Sequence, residues 1–182
     1  MRIAIVANTR TGSSTVFKYI KKSLNLYGIN EPFNPKTKQS HSHINIWGFS
    51  DIVVKYIFVS SEYIEKIIEH FDKVIFLTRE DDVEAAKSFI QAKKTDNWTD
   101  SYIFNEEHSK EIQEITSIRK EQKNFIRSFE GFQITYEQLF IDRDGINRLN
   151  KFLNIQSSNY EYLFDLKYRY RKGTDSDKLN IL

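Results

Sequence analysis

The chain has 182 residues, of which 40% are hydrophobic and 29% are charged, with 27 basic against 25 acidic side chains. These values are ordinary for a globular protein, and the length suits a single domain, residues 1–182, that can bury a substantial core. A net charge of +2 argues against bulk nucleic-acid binding, which usually requires a strong basic excess. The absence of cysteine excludes disulfides, thiolate metal sites and cysteine nucleophiles.

Apolar runs along the chain are short. The opening residues, MRIAIVANTR, become polar after a brief apolar stretch, and no run reaches the roughly 18 residues that a membrane-spanning helix needs. We therefore expect no signal peptide, no stable membrane insertion and a cytoplasmic location. No feature of the sequence indicates an oligomeric state.

Hydrophobic periodicity predicts alternating strands and helices. Continuous apolar runs that are too short for a helix indicate buried strands, and apolar residues at three- and four-residue steps indicate helices. In chain order the expected elements are a strand over residues 2–7, a helix over 14–25, a loop over 28–48, a strand over 52–59, a helix over 62–70, a strand over 73–78, a helix over 82–94, a long helix over 105–129, a strand over 132–135 and a helix over 145–153. This alternation predicts an α/β fold of three layers, with a mainly parallel central sheet and flanking helices.

The first turn, ANTRTGSST over residues 7–15, joins the first strand to the first helix. Such a turn points backbone N–H groups and the positive end of a helix at an anion. Gly12 permits close approach of the anion, and Arg10 adds a planar charged donor. The GxxxxGK[ST] pattern of ATP and GTP loops is absent, because no lysine follows Gly12. Spacing alone leaves a phosphate-binding turn and a plain capped helix equally open.

NTRTGSST resembles the 5′-phosphosulfate loop of sulfotransferases, in which a basic residue, a small residue, glycine and several hydroxyl residues follow the first strand. In that family the loop binds the sulfuryl donor 3′-phosphoadenosine 5′-phosphosulfate (PAPS). The resemblance implies a P-loop NTPase-like sulfotransferase fold. It also implies donor contacts from Arg10, Thr11, Gly12, Ser13, Ser14 and Thr15.

A second stretch, VIFLTREDDVEAAKSFIQAKKTDNW over residues 74–98, is similar to the bacterial trehalose-type sulfotransferases. Sulfotransferases bind the 3′-phosphate of the donor with an arginine that ends the third strand and a serine in the following helix. Arg79 and Ser88 stand at the matching places, Arg79 at the end of a strand and Ser88 about two turns into the following helix, so they can converge on one dianion. The alternatives are an ion pair of Arg79 with nearby acids and a neutral helix position for Ser88.

Two further stretches resemble parts of the same family. ITYEQLFIDRDGINRLNKFLNI, residues 134–155, is similar to the family's strand, Tyr-Glu and helix pattern, which implies that Tyr136 lies near the nucleotide. A tyrosine that packs the end of the sheet is the alternative. Arg171, Lys172 and Gly173 resemble the RKG turn by which animal cytosolic sulfotransferases close over the 3′-phosphate. Here the alternative is a solvated basic tail.

Sulfuryl transfer would need positioning and stabilisation of negative charge on the leaving bridge oxygen. Arg10 and the helix amides would supply both, and no metal is required. His41 and His43 form a pair without an accompanying acid or cysteine, which indicates a solvated loop.

A general base should activate the acceptor hydroxyl. Trehalose-type sulfotransferases carry a glutamate in a context similar to NEPFNP, so the resemblance implies this role for Glu31, with an exposed loop acid as the equal alternative. Lys55 lies inside the apolar strand VVKYIF and therefore needs a partner. It would contact the sulfuryl group or reach the edge of the sheet. Animal cytosolic enzymes carry a histidine two residues beyond such a lysine, and Ile57 at that place excludes this version of the base.

These residues predict a PAPS-dependent sulfotransferase that releases 3′,5′-adenosine bisphosphate (PAP). Its acceptor would be a hydroxyl or amine of a small molecule, carbohydrate or lipid. The alternatives are a P-loop phosphotransferase that uses ATP, such as a small-molecule kinase, and a non-catalytic nucleotide-binding descendant.

Overall fold

Five parallel strands form the central sheet of the computed structural model, which describes residues 1–33, 46–57, 59–95 and 108–156. The strands stand in the order β2-β3-β1-β4-β5, so that the first strand lies in the middle. Residues 3–7 of the first strand are buried because both faces of the sheet are covered by helices. The strands are β1 (Arg2–Ala7), β2 (Tyr27–Asn30), β3 (Ile52–Ile57), β4 (Lys73–Thr78) and β5 (Phe132–Thr135).

Helices cover the sheet on both sides and complete three layers within the described residues. Their bounds are α1 (Ser13–Ser23), α2 (Ser61–His70), α3 (Asp82–Thr95), α4 (Ser109–Arg127), α5 (Tyr136–Phe140) and α6 (Asp144–Leu153), with a short 3-10 turn at Ile46–Gly48. α1, α5 and α6 pack on one face of the sheet, and α2 and α4 pack on the other, where α3 lies against α4. None of these helices combines the length and the apolar character that crossing a bilayer requires.

The predicted α/β class and parallel sheet are confirmed, with one strand more than expected. The loop expected over residues 28–48 is wrong at its start, because Tyr27–Asn30 forms the edge strand β2. A strand of four residues that contains glycine and asparagine is too short to show a periodic signal. Backbone pairing with β3, from Tyr27 opposite Ile52 to Asn30 opposite Lys55, stabilises it instead.

Most other predicted bounds agree with the structure to within about two residues. The second predicted strand ends at Ile57 rather than at residue 59, and the long helix is Ser109–Arg127, while residues 105–107 lie outside the described part. The short helix α5 was not predicted. It begins with a capping box in which Thr135 and Gln138 bond reciprocally, so its signal is local hydrogen bonding rather than apolar periodicity.

The position of β1 determines where a ligand can bind. Because β3 and β4 flank β1, the loop after β1 lies at the centre of the edge formed by the carboxyl ends of the strands. Ligands of open parallel sheets bind outside these ends, at the point where the strand order reverses direction, which here is beside the first strand.

Gly12 holds the loop after β1 against α5, and we expect Gly12→Ala to destabilise the protein. Gly12 has a φ of 78°, and a Cβ there would lie 2.5 Å from Cε2 of Phe140. The strained backbone alone should lower the free energy of unfolding by about 1–3 kcal/mol. Urea denaturation measures this change, with Ser23→Ala at the exposed end of α1 as the control. An unchanged transition midpoint for Gly12→Ala would contradict this packing.

Candidate functional site

The loop over residues 8–12 is a tight turn that leads directly into α1. The hydroxyl of Thr11 donates to the carbonyl of Asn8 at 2.9 Å, and both Arg10 and Gly12 adopt left-handed backbone conformations with φ of 62° and 78°. The N–H groups of Thr15 and Val16 donate to the carbonyl of Gly12. The N–H groups at the first two helical positions have no intrahelical acceptor, so the end of α1 presents donors and a positive dipole end at the carboxyl edge.

The hydroxyl groups around this turn are not equivalent. Thr11, Ser13 and Thr15 are buried, and the hydroxyl of Thr11 is already bonded within the loop. Ser14 is half-buried and lies in the first turn of α1. Of the four predicted hydroxyl donors, Ser14 is therefore the best placed to contact a ligand through its side chain.

Arg10, Arg79, Ser88 and Tyr136 come together on one side of the loop. The Nε of Arg10 donates to the hydroxyl of Ser88 at 2.9 Å, and Nη1 of Arg79 lies 3.5 Å from the carbonyl oxygen of Arg10. The guanidinium of Arg79 lies over the ring of Tyr136, 4.6 Å from its centroid. We call these four residues the arginine cluster. The structure thus joins residues that are up to 126 positions apart in the sequence.

Electrostatic repulsion inside the cluster favours a bound anion. Burial, followed by the nearby guanidiniums of Arg79 and Arg119, lowers the pKa of Arg10 to about 10. Arg79 forms an ion pair with Glu137, whose Oε1 lies 3.8 Å from its Nε, rather than with the acids that directly follow it in the sequence. That distance is too long for a hydrogen bond, so the Nε of Arg79 keeps a donor that an anion can use.

Arg119 of α4 is a site residue that the sequence did not predict. Its side chain is 4% exposed, and its two terminal nitrogens donate to the hydroxyl and the carbonyl of Thr9 at 3.0 and 2.6 Å. Burial lowers its pKa to about 10, with Asp82 opposing and Arg79 adding to the shift. A signal existed, because Arg119, Lys123 and Ile126 recur at helical steps and share the buried face of α4.

Lys123, also on α4, bonds to the turn after β4. Its Nζ donates to the carbonyl of Glu80 at 3.0 Å and to Oδ2 of Asp82 at 2.5 Å. The carboxylate of Glu137 accepts the N–H groups of Glu80 and Asp81 at 2.9 and 3.3 Å. α4 and α5 therefore fix the turn that carries Arg79.

Lys55 and Glu31 form a second group beside the start of α1. Lys55 is 2% exposed, and its Nζ contacts Oε1 of Glu31 at 2.7 Å and the hydroxyl of Ser14 at 2.8 Å. The N–H of Glu31 donates to the carbonyl of Lys55 at 2.9 Å. Burial lowers the pKa of Lys55, and the neighbouring carboxylate opposes that shift. The partner that a buried lysine needs is therefore Glu31, and the ammonium lies at the helix start rather than at the edge of the sheet.

Of the three residues predicted to act in catalysis, the structure brings Glu31 and Lys55 together but not Arg10. The side chain of Arg10 lies with Ser88 and Arg79 rather than beside Lys55. Arg171, Lys172 and Gly173 lie outside the described residues, as do His41 and His43. Within the described ranges, no three His, Asp or Glu side chains are grouped as metal ligands would be.

Comparison of the sequence with models of known protein families gives no match, and comparison with curated proteins gives none either. The contacts among the described residues, together with the sequence resemblance, are therefore the basis on which we assign a function.

The Lys55–Glu31 pair leads to a stability prediction. Glu31→Ala should lower the free energy of unfolding by about 2–3 kcal/mol, because it leaves a buried ammonium without its carboxylate. The double variant Glu31→Ala with Lys55→Met should recover at least half of this loss, since it removes the charge as well. Denaturant unfolding of the single and double variants measures both effects. A double variant no more stable than Glu31→Ala would contradict an ion pair.

The same variant should show a pH dependence with a definite sign. Burial lowers the pKa of Lys55 below its ordinary value of 10.5, and loss of Glu31 removes the group that opposes this shift. The folded protein then binds fewer protons than the unfolded chain as the pH approaches 10.5, so stability rises with pH in that window. The defect of Glu31→Ala relative to the unmodified protein should shrink as the pH rises toward 10.5. A constant defect over that range would show that Lys55 is not desolvated.

Arg119→Lys should loosen the loop without unfolding the protein. An ammonium cannot reproduce the two bonds that the guanidinium makes to Thr9. Amide exchange in residues 9–12 should accelerate about tenfold, as expected for the loss of one good hydrogen bond. Arg127→Lys, on the exposed end of the same helix, is the control and should leave this exchange unchanged. Equal exchange in both variants would mean that Arg119 does not hold the loop.

Proposed function

We propose that the protein is a sulfotransferase that moves a sulfuryl group from PAPS to a hydroxyl or amine acceptor. The observation that carries the proposal is the arginine cluster, in which Arg79 and Ser88 each contact Arg10 at the carboxyl edge of the sheet. The sequence resemblance assigns Arg79 and Ser88 to the 3′-phosphate of the donor. Their convergence supports a site for a dianion that ATP lacks.

Donor binding would use both groups of the site. The 3′-phosphate would accept hydrogen bonds from the arginine cluster, including one from the Nε of Arg79, which has no hydrogen-bond partner among the described residues. Its negative charge would also offset the repulsion between the guanidiniums of the cluster. Tyr136, against which Arg79 stacks, would lie beside the nucleotide. The phosphosulfate would bind at Gly12 and the donors that begin α1. Closure by Arg171, Lys172 and Gly173 over the 3′-phosphate remains a prediction.

The transfer step would take place near Lys55. The acceptor oxygen forms a bond to sulfur while the bond between sulfur and the bridging oxygen breaks, and PAP leaves with that electron pair. Lys55, whose ammonium lies 2.8 Å from the hydroxyl of Ser14, would stabilise the charge that develops there. Glu31 would accept the proton of the acceptor, and its ion pair with Lys55 would hold base and cation in fixed relation.

In this scheme Arg10 would bind the 3′-phosphate instead of stabilising the leaving oxygen. The resemblance suggested that it stabilises the leaving oxygen, but its guanidinium lies against Ser88. We assign it to the 3′-phosphate and leave the charge on the bridging oxygen to Lys55 and the helix amides. Such an enzyme would work in the cytoplasm, as the sequence predicts, on small-molecule, carbohydrate or lipid acceptors rather than on nucleic acid.

The role assignments are tested by two variants and a control. Arg79→Ala should weaken PAP binding by roughly 10- to 150-fold, because a lost charge-assisted hydrogen bond costs about 1.5–3 kcal/mol. Glu31→Gln should keep the affinity for PAP and slow the transfer of label from labelled PAPS to an acceptor. Arg127→Ala, which removes an exposed partner of Glu80, should change neither quantity.

The alternative functions give other results in the same experiments. A phosphotransferase would bind ATP in a magnesium-dependent manner and would bind PAP no better. A non-catalytic descendant would bind PAP and transfer no label to any acceptor. Absence of PAP binding at millimolar concentration, or an equal loss of binding in Arg79→Ala and Glu31→Gln, would refute the proposed roles.

A further inference from the structure

Three buried polar groups near the loop after β1 have no hydrogen-bond partner among the described residues. They are the Nε of Arg79, the Nε of Arg119 and the hydroxyl of Thr116. Each of them can donate a hydrogen bond, and a buried donor without an acceptor is costly. In the function proposed above, the 3′-phosphate gives an acceptor to the Nε of Arg79, and the two groups of α4 are left without one.

The two arginines lie beside consecutive residues of the loop. The terminal nitrogens of Arg119 bond to Thr9 at 3.0 and 2.6 Å, and Nη1 of Arg79 lies 3.5 Å from the carbonyl oxygen of Arg10. Burial lowers the pKa of Arg119 to about 10, and the guanidinium of Arg79 adds to that shift. An anion between the two guanidiniums would offset their repulsion, whereas a water molecule would not.

The guanidinium of Arg119 can bind the loop and an anion at the same time. Its two terminal nitrogens contact Thr9 through the end of the guanidinium plane. The Nε–H and a remaining N–H of one terminal nitrogen lie parallel along the side of the same plane. This is the fork that binds two oxygens of a phosphate or sulfate.

Thr116 lies one turn of α4 before Arg119. Phe129, just after α4, stacks on Phe76 inside β4, whereas Arg119 contacts Thr9 beyond the end of β1. α4 therefore passes the carboxyl edge of the sheet, and Thr116 lies further beyond that edge than Arg119 does. This is the side on which ligands of parallel sheets bind.

We propose that the Nε of Arg119 and the hydroxyl of Thr116 bind, together with Arg79, one tetrahedral dianion. The inference rests on the proposed function in one respect, since the 3′-phosphate of PAP would be this dianion in a sulfotransferase. The contacts do not require the nucleotide, so free sulfate binds the same groups and competes with PAP. The resemblance to sulfotransferases assigns no role to Arg119 or Thr116.

Sulfate binding to the full chain tests the site, because sulfate is a tetrahedral dianion without a nucleotide. Titration calorimetry at constant ionic strength should show saturable binding of sulfate, no binding of nitrate, and competition between sulfate and PAP. Nitrogen NMR spectra report on the Nε–H groups of Arg79 and Arg119, whose resonances are assigned by their loss in Arg79→Lys and Arg119→Lys. Both resonances should shift on addition of sulfate and on addition of PAP.

Thr116→Val removes the hydroxyl at nearly constant volume and leaves the contact of Arg119 with Thr9 in place. It should weaken the binding of both sulfate and PAP about tenfold, the effect of one hydrogen bond to a charged group. Without ligand it should not lower the stability, because the hydroxyl has no partner among the described residues. Amide exchange in residues 9–12 should also stay unchanged. Ser117→Ala, at an exposed position of α4, is the control for loss of a hydroxyl.

Three results would overturn this site: absence of saturable sulfate binding, an Arg119 resonance that stays in place while that of Arg79 shifts, or unchanged affinities in Thr116→Val. The proposed sulfotransferase function survives each of them if PAP still binds. Sulfate binding with both shifts, in a protein that does not bind PAP, would instead support the dianion site and refute the sulfotransferase function.

Discussion

Arg119 places a guanidinium beneath the loop that follows β1, and both of its terminal nitrogens bond to Thr9. This contact fixes the start of a turn whose next residues adopt left-handed conformations, so it determines where Arg10 and the first amides of α1 point. Lys123, one helical turn further along α4, anchors the turn that carries Arg79. One helix thus holds both loops, and the cost of burying two cations is offset by bonds to backbone carbonyls and to Asp82.

The two charged groups divide the site into parts with different chemistry. The arginine cluster concentrates positive charge with few neutralising acids, which suits a stable contact to a dianion. Lys55 is instead paired with Glu31, so its charge is balanced until a ligand approaches Ser14. The helix start lies between these groups. This arrangement fits a ligand that carries one phosphate to be held and a second group to be transferred.

Local pattern placed Arg79 at the end of an apolar run and Ser88 in the helix that follows, and both elements are present in the structure. The assignment of the two residues to one site came from the resemblance to sulfotransferases. The contact of Arg119 with Thr9 spans 110 positions and depends on how α4 crosses the sheet, which no local pattern contains. The need of Lys55 for a partner was predictable. Its partner was not, because Glu31 is brought beside Lys55 by the pairing of the short strand β2 with β3.

The central claim is that the arginine cluster selects a nucleotide with a 3′-phosphate, and comparison of PAP with ADP tests it most directly. The two ligands share the adenosine and differ in whether the second phosphate is at the 3′ position. Titration calorimetry of the unmodified protein without magnesium should show PAP binding at least about tenfold more tightly than ADP, the effect of one charge-assisted contact. Equal affinities, or tighter binding of ADP, would contradict the account.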